Sequence, residues 1–89
     1  MESKTTQRFR DALSGLPVEV RKRAREAYLP FKHDRTHPSL RFKKVHSTLP
    51  IYSARVTRDY RAVGIFESDL MVWFWIGSHA DYERLLASQ

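Results

Sequence analysis

Two arginines and a histidine in the second half of the chain have the side chains best suited to chemistry on a phosphate. Arg55 and Arg61 bracket the segment Val56-Thr57-Arg58-Asp59-Tyr60. Residues 51–56 and 60–66 are rich in β-branched and aromatic types, which makes the intervening segment a hairpin between two strands. A two-residue Arg-Asp turn is disfavoured, because tight primed turns take Asn-Gly or glycine. A three-residue loop over 57–59, with Asp59 left-handed, is expected instead. Val56 then lies opposite Tyr60, and Arg55 opposite Arg61. Two guanidinium groups side by side on one sheet face repel each other. They suit an anion such as a phosphate, to which each presents several fixed donors. Neutralisation by Glu67, Asp69 or Asp81 is the structural alternative, and a two-residue turn would send the arginines to opposite faces.

The segment Ile76-Gly77-Ser78-His79-Ala80-Asp81-Tyr82 reads as a strand end running into a helix. It delivers His79 to the sheet edge, where an imidazole can give or take a proton at neutral pH. Asp81 can orient His79 or favour the positive end of the helix. Tyr82 can donate a hydrogen bond or stack on a base. Taken alone, His79 is better read as a capping or core-edge histidine; its expected nearness to the two arginines supports the functional reading. His33, His37 and His46 are scattered, and the chain has neither cysteine nor a His-Glu-x-x-His motif. No metal and no cofactor are therefore expected.

The elements that must position these residues begin with two helices. Thr5 or Thr6 caps the first, with Phe9, Ala12, Leu13 and Leu16 along one face, and Gly15 suits a left-handed ending. Pro17 opens the second, whose stripe is Val20, Ala24, Ala27, Tyr28 and Phe31. Pro30 is expected to kink that helix or end it early. After a loop over 33–38 the period becomes alternating, giving strands over 40–45, 51–56, 60–66 and 70–76. A closing helix covers 79–86. Trp73 and Trp75 alternate onto one face of the last strand, with Leu70, Val72, Phe74 and Ile76 on the other, so that strand should be central and its tryptophans core. The polar opening residues 1–6 hold no expected strand. The fold class is α+β, an N-terminal helical hairpin packed on a four-stranded, mainly antiparallel sheet with a short C-terminal helix, in one domain over 1–89.

The chain of 89 residues carries sixteen Lys and Arg against ten Asp and Glu, a net charge of +6. Residues 1–46 hold twelve basic and five acidic groups, a balance of +7, and residues 47–89 hold four and five, a balance of −1. Arg21, Lys22 and Arg25 on the second helix, with Arg41, Lys43 and Lys44, are the candidate RNA contacts. The plainer reading of this charge is a solvated surface. Without a membrane-length apolar run, a signal peptide or cysteine, a cytoplasmic protein is expected.

The runs His37-Pro38-Ser39-Leu40, Tyr52-Ser53-Ala54-Arg55-Val56, Asp59-Tyr60-Arg61-Ala62-Val63 and Trp73-Phe74-Trp75-Ile76-Gly77-Ser78-His79, with Tyr82, resemble the RelE/ParE superfamily of bacterial type II toxins. The resemblance spans about residues 9–86. It implies a compact toxin held inactive by a cognate antitoxin, which the basic half suggests is acidic. RelE-like members cleave mRNA in the ribosomal A site, whereas ParE-like members poison DNA gyrase. For cleavage, the resemblance gives Arg55, Arg61, His79 and Tyr82 as catalytic, with mRNA and the ribosome as partners. Ser53 and Trp75 stand near positions where RelE-like members carry basic residues, and His37 and His46 partly echo a histidine-rich segment of the YafQ type. A toxin fold retained only as a binding module is the remaining alternative.

Overall fold

The computed structural model describes residues 2–34 and 36–88. Strand β1 (Glu2–Thr5) leads into helices α1 (Gln7–Ser14) and α2 (Val18–His33). A 3₁₀ turn at Pro38–Leu40 precedes β2 (Lys43–Lys44), β3 (Ile51–Thr57), β4 (Tyr60–Glu67), β5 (Leu70–Ser78) and α3 (His79–Ala87). The sheet has five strands in the order β1-β5-β4-β3-β2, with β1 parallel to β5 and the other pairs antiparallel. The α+β class and the helical hairpin are as expected from sequence; the strand count is not.

The additional strand is β1, where no strand is expected from its polar sequence. Glu2 pairs with Leu70 and Thr5 with Trp73, and Thr6 N donates to Trp73 O at 2.9 Å. This strand forms because the outer edge of β5 offers backbone groups that need partners. At the opposite edge, the strand expected over 40–45 shrinks to Lys43–Lys44. Leu40 belongs instead to the 3₁₀ turn, which buries it to 2% exposure, and Arg41 turns left-handed at φ 46°. His37 and His46 serve the loops locally: His37 Nδ1 accepts from Ser39 N, and His46 Nδ1 from Thr48 N and Leu49 N. The His33 side chain lies outside the described residues.

Thr6 caps α1, its Oγ1 accepting from Phe9 N at 3.1 Å. Gly15 ends α1 without the expected left-handed turn. Its φ is −86° and its N–H reaches back to Ala12 O at 3.2 Å, tightening the last turn before Pro17. Helix α2 continues through Pro30 to His33, so the expected early ending does not occur. Immediately after the proline, Phe31 is 2% exposed and meets the rings of Phe42 and Trp73 edge-on, each at 5.2 Å. Burying a phenylalanine contributes about 1.5–3 kcal/mol and each ring pair about 0.5–1.5, enough to offset the ~3 kcal/mol of an interior proline.

Both helices of the hairpin lie on one face of the sheet, over Ala54, Ala62, Met71, Trp73 and Ile76. Helix α3 covers the other face, where Leu85 and Leu86 line a small cavity together with Val63 and Phe74. Strand β5 lies between β1 and β4, as a strand apolar on both faces should. Its two tryptophans do not share a face, however. Val63 pairs with Trp75 but Gly64 with Trp73, so Phe74 is an extra bulged residue. Trp73 then meets Phe31 on the hairpin side, while Trp75 meets Tyr82 of α3, ring centroids 6.4 Å apart.

Candidate active-site corner

Thr57 pairs with Tyr60, so β3 and β4 are joined by the two-residue Arg58-Asp59 turn disfavoured on sequence grounds. Neither turn residue has a positive φ, Asp59 included. Arg55 nevertheless pairs with Arg61, because the register shifts between Arg55 and Thr57. Val56 is the extra, bulged residue; in a regular ladder from the same turn Val56 would pair with Arg61, and Arg55 would fall opposite Ala62. A bulge on the strand entering the turn also adds right-handed twist, which an unprimed turn does not supply.

Arg61 is tied to this turn. Its Nη1 donates to Thr57 O at 2.8 Å, Tyr60 O at 3.1 Å and Arg58 O at 3.3 Å. All three bonds use Nη1, so Nη2 and Nε have no acceptor among the described residues. Partial burial, and after it the Arg55 guanidinium, hold Arg61 below its ordinary pKa; Arg41 acts the same way, against Tyr82 and Asp59. The group stays charged at any ordinary pH. Among the described residues, no carboxylate forms an ion pair with Arg55 or Arg61. Neutralisation by Glu67, Asp69 or Asp81 therefore does not account for the pair.

Arg61 pairs with Gly77 and Tyr60 with Ser78, which carries β5 past the arginine into α3. Ser78 caps α3 through its Oγ, accepting from Asp81 N at 3.2 Å. His79 N donates to Asp59 O at 2.6 Å, locking the helix start onto the β3–β4 turn. The imidazole itself is about half exposed, with Nε2 3.0 Å from Glu83 Oε1. Asp81 pairs with Arg84 rather than orienting His79. The His79–Glu83 spacing of i,i+4 is legible in sequence, although Asp81 is the nearer carboxylate along the chain.

Tyr82 is 5% exposed and donates from its hydroxyl to Ser53 Oγ at 3.1 Å, with Ser53 itself 2% exposed. Its ring lies 5.9 Å from that of His79. Ser53, Trp75 and Tyr82 thus form a packed floor beneath the histidine, which accounts for the neutral residues at positions 53 and 75. Replacing Tyr82 with phenylalanine should leave the Ser53 hydroxyl buried without its donor. A loss of about 1–2 kcal/mol, read from chemical unfolding midpoints, is expected.

The remaining basic candidates are spread over the surface. Lys22, Arg25, Arg41, Lys43 and Lys44 are exposed. Arg21 is half-buried and donates to Ser14 O at 3.3 Å, joining α2 to the end of α1. Arg25 borders an apolar cavity of about 310 Å³ between the hairpin and the sheet. Of these, Arg41 bears on the corner electrostatically, helping to lower the pKa of Arg61. Arg23 and Arg58 do not stand out in the sequence, but they share a polar cleft with Arg55.

A family model described as the ParE-like toxin domain matches residues 18–84. The chain belongs to that family. Among curated proteins, none matches the sequence. Solved structures share the fold of this ParE-like domain at low identity. A chain of the RelB–RelE antitoxin–toxin complex from Methanococcus jannaschii is 16% identical, with 91% of this chain and 95% of that chain covered at a TM-score of 0.73. The YoeB/ParE toxin from Agrobacterium tumefaciens is 12% identical, covering 89% and 99% at 0.70. YafQ from E. coli is 13% identical, covering 91% and 96% at 0.62.

Proposed function

We propose that this ParE-like domain is the toxin of a type II toxin–antitoxin pair, and that it blocks translation by cutting mRNA on the ribosome. The observation that carries the proposal is the Arg55–Arg61 pair, unpartnered by carboxylates among the described residues, beside the half-exposed His79. In the cleavage step the ribose 2′-oxygen bonds to the adjacent phosphorus and the P–O5′ bond breaks. One proton leaves the 2′-hydroxyl and another is delivered to the departing 5′-oxygen. Arg61, with Nη2 and Nε unspent, and Arg55 stabilise the extra charge on the pentacovalent phosphate. His79 serves as general acid or base, and Glu83 fixes its ring. Tyr82 acts on the substrate through the placement of His79. An antitoxin partner is supported by the RelB–RelE complexes among the structural neighbours, and the net charge of +6 favours an acidic one.

The test is to induce the protein in bacteria and map mRNA 5′ ends. Growth arrest with cuts inside translated codons is expected, and His79→Ala should reduce cutting by about 10²–10⁴-fold. Arrest without such cuts would sink the proposal. Arrest that persists in the His79→Ala variant would favour a second reading, inhibition of a protein target such as gyrase, which the ParE-like family match also supports.

A further inference from the structure

On the α2 side of the β3–β4 turn lies a polar cleft of about 610 Å³, lined by Arg23, Glu26, Ser39, Arg55, Arg58 and Asp59. Three separate elements contribute its arginines: α2, β3 and the turn. Among the described residues none of the three is in an ion pair, and Arg23 and Arg58 are exposed to solvent. The same turn forms the wall shared with the catalytic corner. Arg58 and Asp59 line the cleft, while the Arg58 carbonyl accepts from Arg61 and the Asp59 carbonyl accepts from His79 N.

We propose that this cleft is a second phosphate subsite, which grips the backbone of a single-stranded RNA a short step from the bond held at Arg61 and His79. Counting Arg55, which the cleft shares with the corner, three guanidinium groups face the carboxylates of Glu26 and Asp59 and leave one net positive charge. That balance matches a phosphodiester, which carries one negative charge, better than a terminal phosphate or a run of carboxylates. Guanidinium forks add geometry to the charge, since each can hold two oxygens at once. Ala27, Leu40 and Val56 also line the cleft, but it holds no aromatic side chain of the kind that anchors a peptide. A strand crossing the Arg58-Asp59 turn would be held on both sides of it, fixing the scissile bond against His79.

The subsite rests on the nuclease reading for its biological use, but its binding is tested without cleavage. The probe is a short 2′-O-methyl RNA, which lacks the attacking hydroxyl, with affinity measured by fluorescence anisotropy over a range of salt. The Arg23→Ala/Arg58→Ala variant should bind about tenfold more weakly. Its slope of log affinity on log salt should flatten by about 0.7, one phosphate contact. Arg23→Lys/Arg58→Lys should keep the slope and lose part of the affinity. Lys4→Ala/Arg8→Ala, an equal charge change away from the cleft, should bind nearly as the parent does. Equal weakening by the Lys4/Arg8 control, unchanged binding in the Arg23/Arg58 variant, or loss seen only with an RNA duplex or a poly-glutamate peptide would each overturn the subsite. Absence of mRNA cuts in the parent, with oligonucleotide binding still dependent on Arg23 and Arg58, would overturn the nuclease reading and leave the subsite standing.

Discussion

Replacing Arg61 with lysine should lower RNA cleavage by about 10²–10³-fold, the range for removing an oriented donor from a transition state. The melting temperature should fall much less. In the proposed reaction Arg61 combines two tasks that one ammonium cannot: Nη1 holds three carbonyls of the turn, and the rest of the fork would take the phosphate. Lysine keeps the charge but presents a point donor on a flexible stem. If it stays on the turn carbonyls it leaves the phosphate, and if it turns to the phosphate it releases the loop. A loss of about 1 kcal/mol is expected, since the group is partly exposed and water replaces some of the bonds. That corresponds to about 4–8 °C for a domain of this size. Measuring single-turnover cleavage alongside thermal unfolding separates the two tasks. Activity that falls only in step with the folded fraction would reduce Arg61 to a turn cap. Arg55→Ala gives the complementary result, because Arg55 disfavours the charged form of Arg61. Its removal should leave stability unchanged or slightly raised while cleavage declines.

Gly64→Ala should destabilise the protein by about 3 kcal/mol, at the upper end for an overpacked site, lowering the melting temperature by roughly 12–24 °C. A Cβ on Gly64 would lie 2.5 Å from Val72 O and 3.0 Å from Trp73 Cα, both backbone atoms, and 2.5 Å from Met71 Cε. Met71 can rotate away; the backbone of β5 cannot, since β5 is paired on both sides. Gly64 sits where the register shifts against β5, so alanine presses on the bulge that sends Trp73 and Trp75 to opposite faces. Gly77→Ala should be milder, because the three atoms nearest the added Cβ all belong to the Trp75 side chain, the closest at 2.8 Å, and none is backbone. Gly15→Ala is the control: its nearest neighbour would be Ala12 O at an ordinary 3.6 Å, and its φ is negative. Stability there should hold or rise slightly. Comparable melting points for Gly64→Ala and Gly15→Ala would show that β5 yields at the bulge.

By itself the sequence determined the elements whose apolar residues recur at a fixed period. The helical stripe from Val20 to Phe31, the three long strands and the closing helix from His79 all follow from that period and from their caps. The facing of Arg55 and Arg61 was also legible, though by the wrong loop: a three-residue turn and a two-residue turn with a bulge at Val56 produce the same pairing. Tertiary structure decided what no local pattern encodes. Strand β1 exists because the edge of β5 needs hydrogen-bond partners, and Glu-Ser-Lys-Thr has no apolar alternation to announce it. Pro30 stays within α2 because Phe31 is buried between two other rings. The bulge at Phe74 reverses the side of Trp75, which joins Tyr82 and Ser53 in the floor beneath His79. Arg23 and Arg58 meet Arg55 only across three elements, a juxtaposition that depends on how α2 packs against the sheet. Short-range periodicity fixes where elements form; backbone pairing and side-chain burial, which act between distant residues, fix what those elements bring together.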